Sequence, residues 1–270
     1  MRAFRVAYDG KQYRGFQRQP HGQTVEDTIF RNLKKLGAMP EDARVPPYYA
    51  GSGRTDAGVS ALGQTVAFEC PDWLTPRAFN GELPGSIRAW AMADAPADFH
   101  ATHDATRRHY TYHLFAPNLS RGRVADVLAS LAGAHDYHNL TPDSRNTARV
   151  VEASVERTGD FLGLEISSDG FPRQFVRRFV TVVSEVSAGE RPESFVERAL
   201  SAEELSGGDG IGPAAPEPLV LRHVEYPMLD FAVDGEAAES ARRVFTNDVE
   251  YHRTATRVAA QLQAGVSGEN

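Results

Sequence analysis

The sequence predicts a mixed α/β protein of the α+β type, built as two α/β subdomains with antiparallel sheets. Three observations carry this. Segments that alternate apolar and polar residues, the period of a half-buried strand, occur in both halves of the chain. Segments with apolar residues at helical spacing lie between them. Thr158-Gly159-Asp160, set between two strand-like runs, reads as the turn of an antiparallel hairpin.

Residues 2–8 alternate, with Phe4, Val6 and Tyr8 on one face, and read as a strand. A turn-rich stretch follows to Gly22. Thr24-Val25-Glu26-Asp27 then resembles a capping box, and Val25, Ile29, Leu33 and Leu36 recur at helical spacing until Gly37 stops the helix. Residues 64–69 alternate again with Val66 and Phe68 on one side, and residues 87–92 and 108–115 are further strands. Val124, Val127, Leu128 and Leu131 mark a second helix that Gly133 ends. Residues 150–156 and 161–166 form the hairpin. Gly170-Phe171-Pro172 opens a third helix with Phe175, Phe179, Val182, Val183 and Val186 on its apolar face. Residues 206–213 are Gly-rich and read as a flexible loop, 219–224 as a closing strand, and the chain from about Gly265 as frayed. The division falls near residue 105, giving subdomains 1–105 and 106–270, and no internal repeat is evident.

A chain of 270 residues, 41% hydrophobic and 24% charged, can bury a sizeable core. The single cysteine, Cys70, excludes an internal disulfide and the C-x-x-C zinc patterns and fits a reducing compartment. The first residues enter a strand pattern at once, without a basic-then-apolar signal segment. No apolar run approaches the roughly 20 residues of a membrane span. The expectation is a soluble cytoplasmic protein that engages no membrane.

The net charge of −7 on its own argues against a nucleic-acid partner, but it is unevenly distributed. Residues 1–35 carry eight Lys/Arg against three Asp/Glu, whereas residues 185–240 carry thirteen acids against three Arg. A phosphate backbone responds to the local field, so a basic face on an acidic protein can bind RNA. Charge permits this partner without requiring it.

Chemistry concentrates in Gly51-Ser52-Gly53-Arg54-Thr55-Asp56-Ala57-Gly58-Val59. The glycines allow tight turns and close approach to a ligand, and Arg54 and Asp56, two apart, project from one side of an extended segment. From spacing alone the favoured reading is a turn carrying a solvated ion pair. The segment lacks the endings of a P-loop and of a dinucleotide fingerprint, which disfavours a nucleotide cofactor.

Gly53-Arg54-Thr55-Asp56-Ala57-Gly58-Val59 resembles the signature of the TruA family of tRNA pseudouridine synthases. Further stretches agree in order. Tyr8-Asp9-Gly10 and Tyr13-Arg14-Gly15-Phe16-Gln17-Arg18-Gln19 resemble that family's opening. Leu83-Pro84-Gly85-Ser86-Ile87 and Asp98-Phe99-His100-Ala101 resemble its middle. Arg108-His109-Tyr110-Thr111-Tyr112 resembles its second catalytic motif, and residues 171–178 its third. The match runs from about residue 4 to residue 227. Departures are Ser60, where many relatives have histidine, Pro172-Arg173 before the third-motif arginine, and Glu217-Pro218 before the last strand.

The resemblance implies a pseudouridine synthase fold, two α/β subdomains whose antiparallel sheets join across a central basic cleft. It implies isomerisation of uridine in the anticodon stem and loop of tRNA, typically at positions 38 to 40, by a homodimer without metal or cofactor. Asp56 matches the catalytic aspartate, which attacks ribose C1′ or abstracts a ribose proton. A partly buried carboxylate needs a guanidinium nearby to remain ionised, and Arg177 matches the arginine that pairs with it. Tyr110 matches the tyrosine that stacks on the target base, and Arg54 the arginine that helps extrude the nucleotide. Leu219 would supply an apolar wall. Lys11, Arg14, Arg18, Arg107, Arg108, Arg173 and Arg178 are candidate phosphate contacts.

Two other classes compete. An RNA-binding module without catalysis is disfavoured because Asp56, Tyr110 and Arg177 are all present. A metal-dependent hydrolase could use His100 and His103, or His135 and His138, but neither pair has the glutamate and third ligand such a site needs.

Overall fold

The computed structural model describes residues 1–266. β1 (Arg2–Tyr8) forms where the alternation predicts it, followed by α1 (Val25–Lys35). Thr24 caps α1 by accepting the Asp27 N–H at 3.1 Å, acids occupy its first turn and Lys34 and Lys35 its last, matching the helix dipole at both ends. Gly37, at φ +69°, closes it with N–H bonds back to Lys34 O and from Ala38 to Leu33 O. The chain continues through β2 (Ala50–Gly51), β3 (Ser60–Phe68), α2 (Pro76–Asn80) and β4 (Ile87–Asp94). The second half comprises β5 (Arg107–Phe115), α3 (Arg121–Leu131), β6 (Gly133–Asp136), β7 (Ala148–Thr158), β8 (Phe161–Ser168), α4 (Phe175–Ala188), α5 (Phe195–Ala199), β9 (Leu219–Glu225), β10 (Ala232–Val233) and α6 (Gly235–Val266).

The architecture is mixed α/β around one large, mostly antiparallel sheet of ten strands. Its order is β10-β4-β1-β3-β9-β5-β8-β7-β6, with β2 pairing β3 off this path. The sheets expected for the two halves are therefore continuous. They join where β3 and β9 run parallel, Ser60 opposite Val220 and Ala61 opposite Leu221. Thus the strand predicted to close the chain sits in the middle of the sheet, between β3 and β5. Arg5 reinforces this seam from inside β1: its guanidinium donates to Gly63 O, Thr65 Oγ1 and Val224 O, and lies 4.2 Å from the centroid of the Phe231 ring. Burial lowers its pKa to about 10, still far above neutrality.

The core fills around each half of the sheet. Phe4, Phe68 and Phe79 form an aromatic cluster in the first, and Phe171, Phe175, Phe179 and Tyr137 another in the second. Helix α4 buries the apolar face that its spacing predicts, whereas α2, α5, β2, β6, β10 and α6 are absent from the sequence reading. α6 spans 32 residues, or about 48 Å, yet buries only Ala237 and Ala241. It continues through Val266, so Gly265, expected to fray, is helical; the remainder of that expectation lies outside the described residues. Among the described residues no helix is long and apolar enough to cross a membrane.

Candidate active site

Asp56 lies in the loop between β2 and β3, and the sequence clamps that loop from several sides. The Tyr8 hydroxyl, at the end of β1, bonds Thr55 Oγ1 at 2.8 Å, and Phe16 N–H donates to Thr55 O at 3.1 Å. Gly10 packs so close that a Cβ there would stand 2.0 Å from Val59 O, which explains glycine at this turn. Ser60 accepts the Gly10 N–H on its Oγ at 3.0 Å. Gln64 Nε2 donates to Gly53 O at 2.9 Å while its Oε1 accepts from Ser52 Oγ. Arg108, from β5, holds Ser52 O with Nε and Nη2 at 3.1 and 2.8 Å. A loop fixed this way presents its carboxylate without reorganising, which is what electrostatic catalysis requires.

Arg177 comes from α4, 121 residues further along, and its Nη1 bonds Asp56 Oδ2 at 2.9 Å. Its Nε donates to Ala214 O at 2.6 Å, so the loop before β9 sets the direction of the guanidinium. The Asp56 side chain is 30% exposed and that of Arg177 13%. Asp56 is thus charge-compensated from behind and open in front: among the described residues no bond to its Oδ1 is found.

Both residues line a cleft of about 1410 Å³. Tyr110 lies in its wall, buried, with its ring edge-on to Phe171 at 5.4 Å. Burial pushes its phenol up to about 12, so it stays protonated across the neutral range. Leu219 opens β9 as a buried apolar wall of the same cleft. Three residues named for distinct needs, a carboxylate, its counter-charge and an aromatic platform, therefore meet in one place.

The candidate phosphate contacts divide. Arg14 and Arg54 are exposed in the cleft, and neither guanidinium has a bonding partner among the described residues. Arg173 also lines it, with Nε 3.4 Å from Asp143 Oδ1. Arg108 lines it but is committed to backbone carbonyls. Lys11 is exposed outside the cleft. Arg18 is tied to Asp27 at 2.8 Å and to Arg44 O, and Arg178 to Ile211 O and Gln174 Oε1. Arg107 pairs with Glu152 on the opposite face of the sheet, because odd and even positions of β5 point to opposite sides.

The supports of the loop, Thr55 and Gln64, escape a sequence reading. One signal was present: Gln64 shares a strand face with Val66 and Phe68, and a polar residue on a buried face must find partners. Gln174 is another. It holds φ +59° at the start of α4, a left-handed position that a non-glycine residue adopts at a cost, and it lines the cleft.

Comparison with known proteins decides the family. A family model described as tRNA pseudouridine synthase matches residues 127–227. tRNA pseudouridine synthase A of Natronomonas pharaonis is 56% identical over 97% of this chain and 98% of its own length. The chain belongs to the tRNA pseudouridine synthase A family. Its namesake from Haloarcula marismortui is 50% identical over 98% of this chain and all of its own, and that from Archaeoglobus fulgidus 31% identical over 98% of each. Membership makes the protein an isomerase of the pseudouridine synthase type, and the Asp56 loop, which precedes the segment matched by the family model, lies within the aligned length of these relatives.

Proposed function

We propose that this member of the tRNA pseudouridine synthase A family isomerises uridine to pseudouridine in the anticodon stem-loop of tRNA, at positions 38 to 40, with Asp56 as the reactive carboxylate. The observation that carries the reading is the Asp56–Arg177 ion pair at 2.9 Å on the floor of a cleft walled by Tyr110. Breaking the glycosidic bond requires a carboxylate that is ionised yet shielded, acting on ribose C1′ as nucleophile or on a ribose proton as base. Arg177 balances its charge. The freed uracil turns over and rejoins ribose through C5, which gives up its proton as the new bond forms while N1 takes one up, and Tyr110 holds the base by stacking while its neutral phenol adds no competing charge.

A uridine in a stem must be extruded to reach Asp56, at a cost of a few kcal/mol. Arg54, exposed two residues from Asp56, is the group that offsets this by occupying the vacated space. Arg14 and Arg173 take phosphates at the rim. Leu219 shields the sugar side. The halves of the chain, divided near residue 105, present their elements to opposite sides of the RNA, and the enzyme works as a cytoplasmic homodimer.

The test is direct. Purified protein and its Asp56→Ala variant are incubated with unmodified tRNA without added metal, and pseudouridine is mapped. Product at positions 38 to 40 with wild type only is expected. Retained activity in the variant would refute the role of Asp56, and tRNA binding without product would favour a non-catalytic RNA-binding module.

A further inference from the structure

The cleft carries a histidine that the proposed chemistry leaves unused. His100, between β4 and β5, lines the cleft and is exposed to it. Its Nδ1 accepts the backbone N–H of Thr102 at 3.2 Å and is 3.4 Å from that of His103, also placed to donate. A ring nitrogen that accepts carries no proton, so the neutral ring bears its single proton on Nε2, across the ring. The turn is pinned to the machinery already described. Thr102 Oγ1 donates to Gly51 O at 2.6 Å, Arg108 Nη2 donates to Thr102 O at 2.8 Å, and the His100 N–H donates to Asp104 Oδ2 at 2.8 Å. The His103 ring lies against that of His100, centroids 4.2 Å apart. The imidazole is thus oriented from several directions, while among the described residues nothing accepts from Nε2.

We propose that His100 is an RNA-positioning residue whose Nε2–H donates, as a neutral imidazole, to a non-bridging phosphate oxygen of the strand lying across the cleft. The proposal rests on the RNA reading given above and adds to it a donor of a different kind from the arginines. The backbone N–H groups of the turn occupy Nδ1, which leaves Nε2–H as the donor the ring presents to the cleft. An uncharged donor displaces no counterion from the RNA, whereas an arginine does. His100 therefore contributes affinity and register without contributing to the salt dependence.

Two variants separate this role from a structural one. In His100→Asn the Oδ1 can still take the turn's N–H groups, as asparagine does in Asx turns, but the amide nitrogen stops short of Nε2. In His100→Gln the amide reaches the donor position and gives up the cap. With unmodified tRNA, the Asn variant is expected to raise both KM and the dissociation constant from filter retention by about tenfold, in line with one hydrogen bond to a charged acceptor. Its single-turnover rate at saturation, its melting temperature and the slope of log affinity against log salt stay as in wild type. The Gln variant recovers affinity to within about threefold. A silent Asn variant beside an impaired Gln variant would overturn the proposal, assigning His100 to the turn alone. A flattened salt slope in the Asn variant would also overturn it, because the contact would then be charged. Should wild type form no pseudouridine, the functional reading fails separately, and the dissociation constants still decide the question for His100.

Discussion

Removing the guanidinium behind Asp56 is the most informative perturbation of the site. Two unit charges about 4 Å apart interact by roughly 4 kcal/mol at an effective dielectric of 20. The Asp56 side chain is 30% exposed, so water recovers part of this when Arg177 is lost. A loss of about 3 kcal/mol in transition-state stabilisation is left, or roughly a hundredfold in rate. Arg177→Met should therefore lower the single-turnover rate about a hundredfold, read as tritium release from C5 of labelled uridine in a tRNA transcript. Affinity for tRNA, read by filter retention, should change by less than about twofold, since Arg177 touches Asp56 and Ala214 O rather than the cleft mouth. Arg177→Lys keeps the charge but cannot serve both partners with a planar fork, and about a tenfold loss is expected. A methionine variant within about threefold of wild type at saturation would show that the carboxylate does not depend on its counter-charge and would refute the reasoning.

Other outcomes follow from the same geometry. Arg14→Ala should weaken tRNA binding and lower the salt slope by about 0.7 to 0.9, whereas Arg107→Ala, on the opposite face, should leave both unchanged. Tyr110→Phe should alter alkaline stability with a definite sign. The unfolded phenol ionises near pH 10 and the folded one only near 12, so wild type loses roughly 3 kcal/mol across that interval and the variant does not lose that share, checked by urea unfolding at both ends. Gly10→Ala places a methyl group 2.0 Å from Val59 O, three residues after Asp56, and should cost about 3 kcal/mol in unfolding free energy while depressing turnover.

What could be read from sequence depended on how local each determinant is. β1, α1, the β7–β8 hairpin and α4 carry their own signals: a period, a cap, a turn glycine. Asp56 carries none of comparable strength, since its spacing favours a solvated turn, and only the ordered resemblance across the chain brought Tyr110 and Arg177 beside it. Arg18 and Arg178 could not be sorted from Arg14 by sequence, because their acceptors, Arg44 O and Ile211 O, are backbone groups of distant segments. Arg107 is different. Its alternation with Arg108 and Tyr110 in β5 already places the two arginines on opposite faces. α6 was missed because its apolar positions are sparse, many of them alanine, and only its start meets the core.

The charge balance was the least decisive part of the sequence, and the fold resolves it. The cleft is lined by six arginines (Arg14, Arg54, Arg108, Arg149, Arg173 and Arg177) against Glu26, Asp56 and Asp143, an excess of three positive charges on a chain of net charge −7. None of the acids in residues 185–240 lines the cleft, although Glu217 lies beside Gly58. Several of the rest are taken up elsewhere: Glu185 by Arg191, Asp209 by Arg198 and Glu225 by His109. Separation of this kind lets one chain be acidic to solvent and basic to a phosphate backbone. A screening length of about 8 Å at physiological salt makes the two fields nearly independent. The net charge therefore says little about the partner. The sign of the charge lining the cleft carries the information, and it is positive.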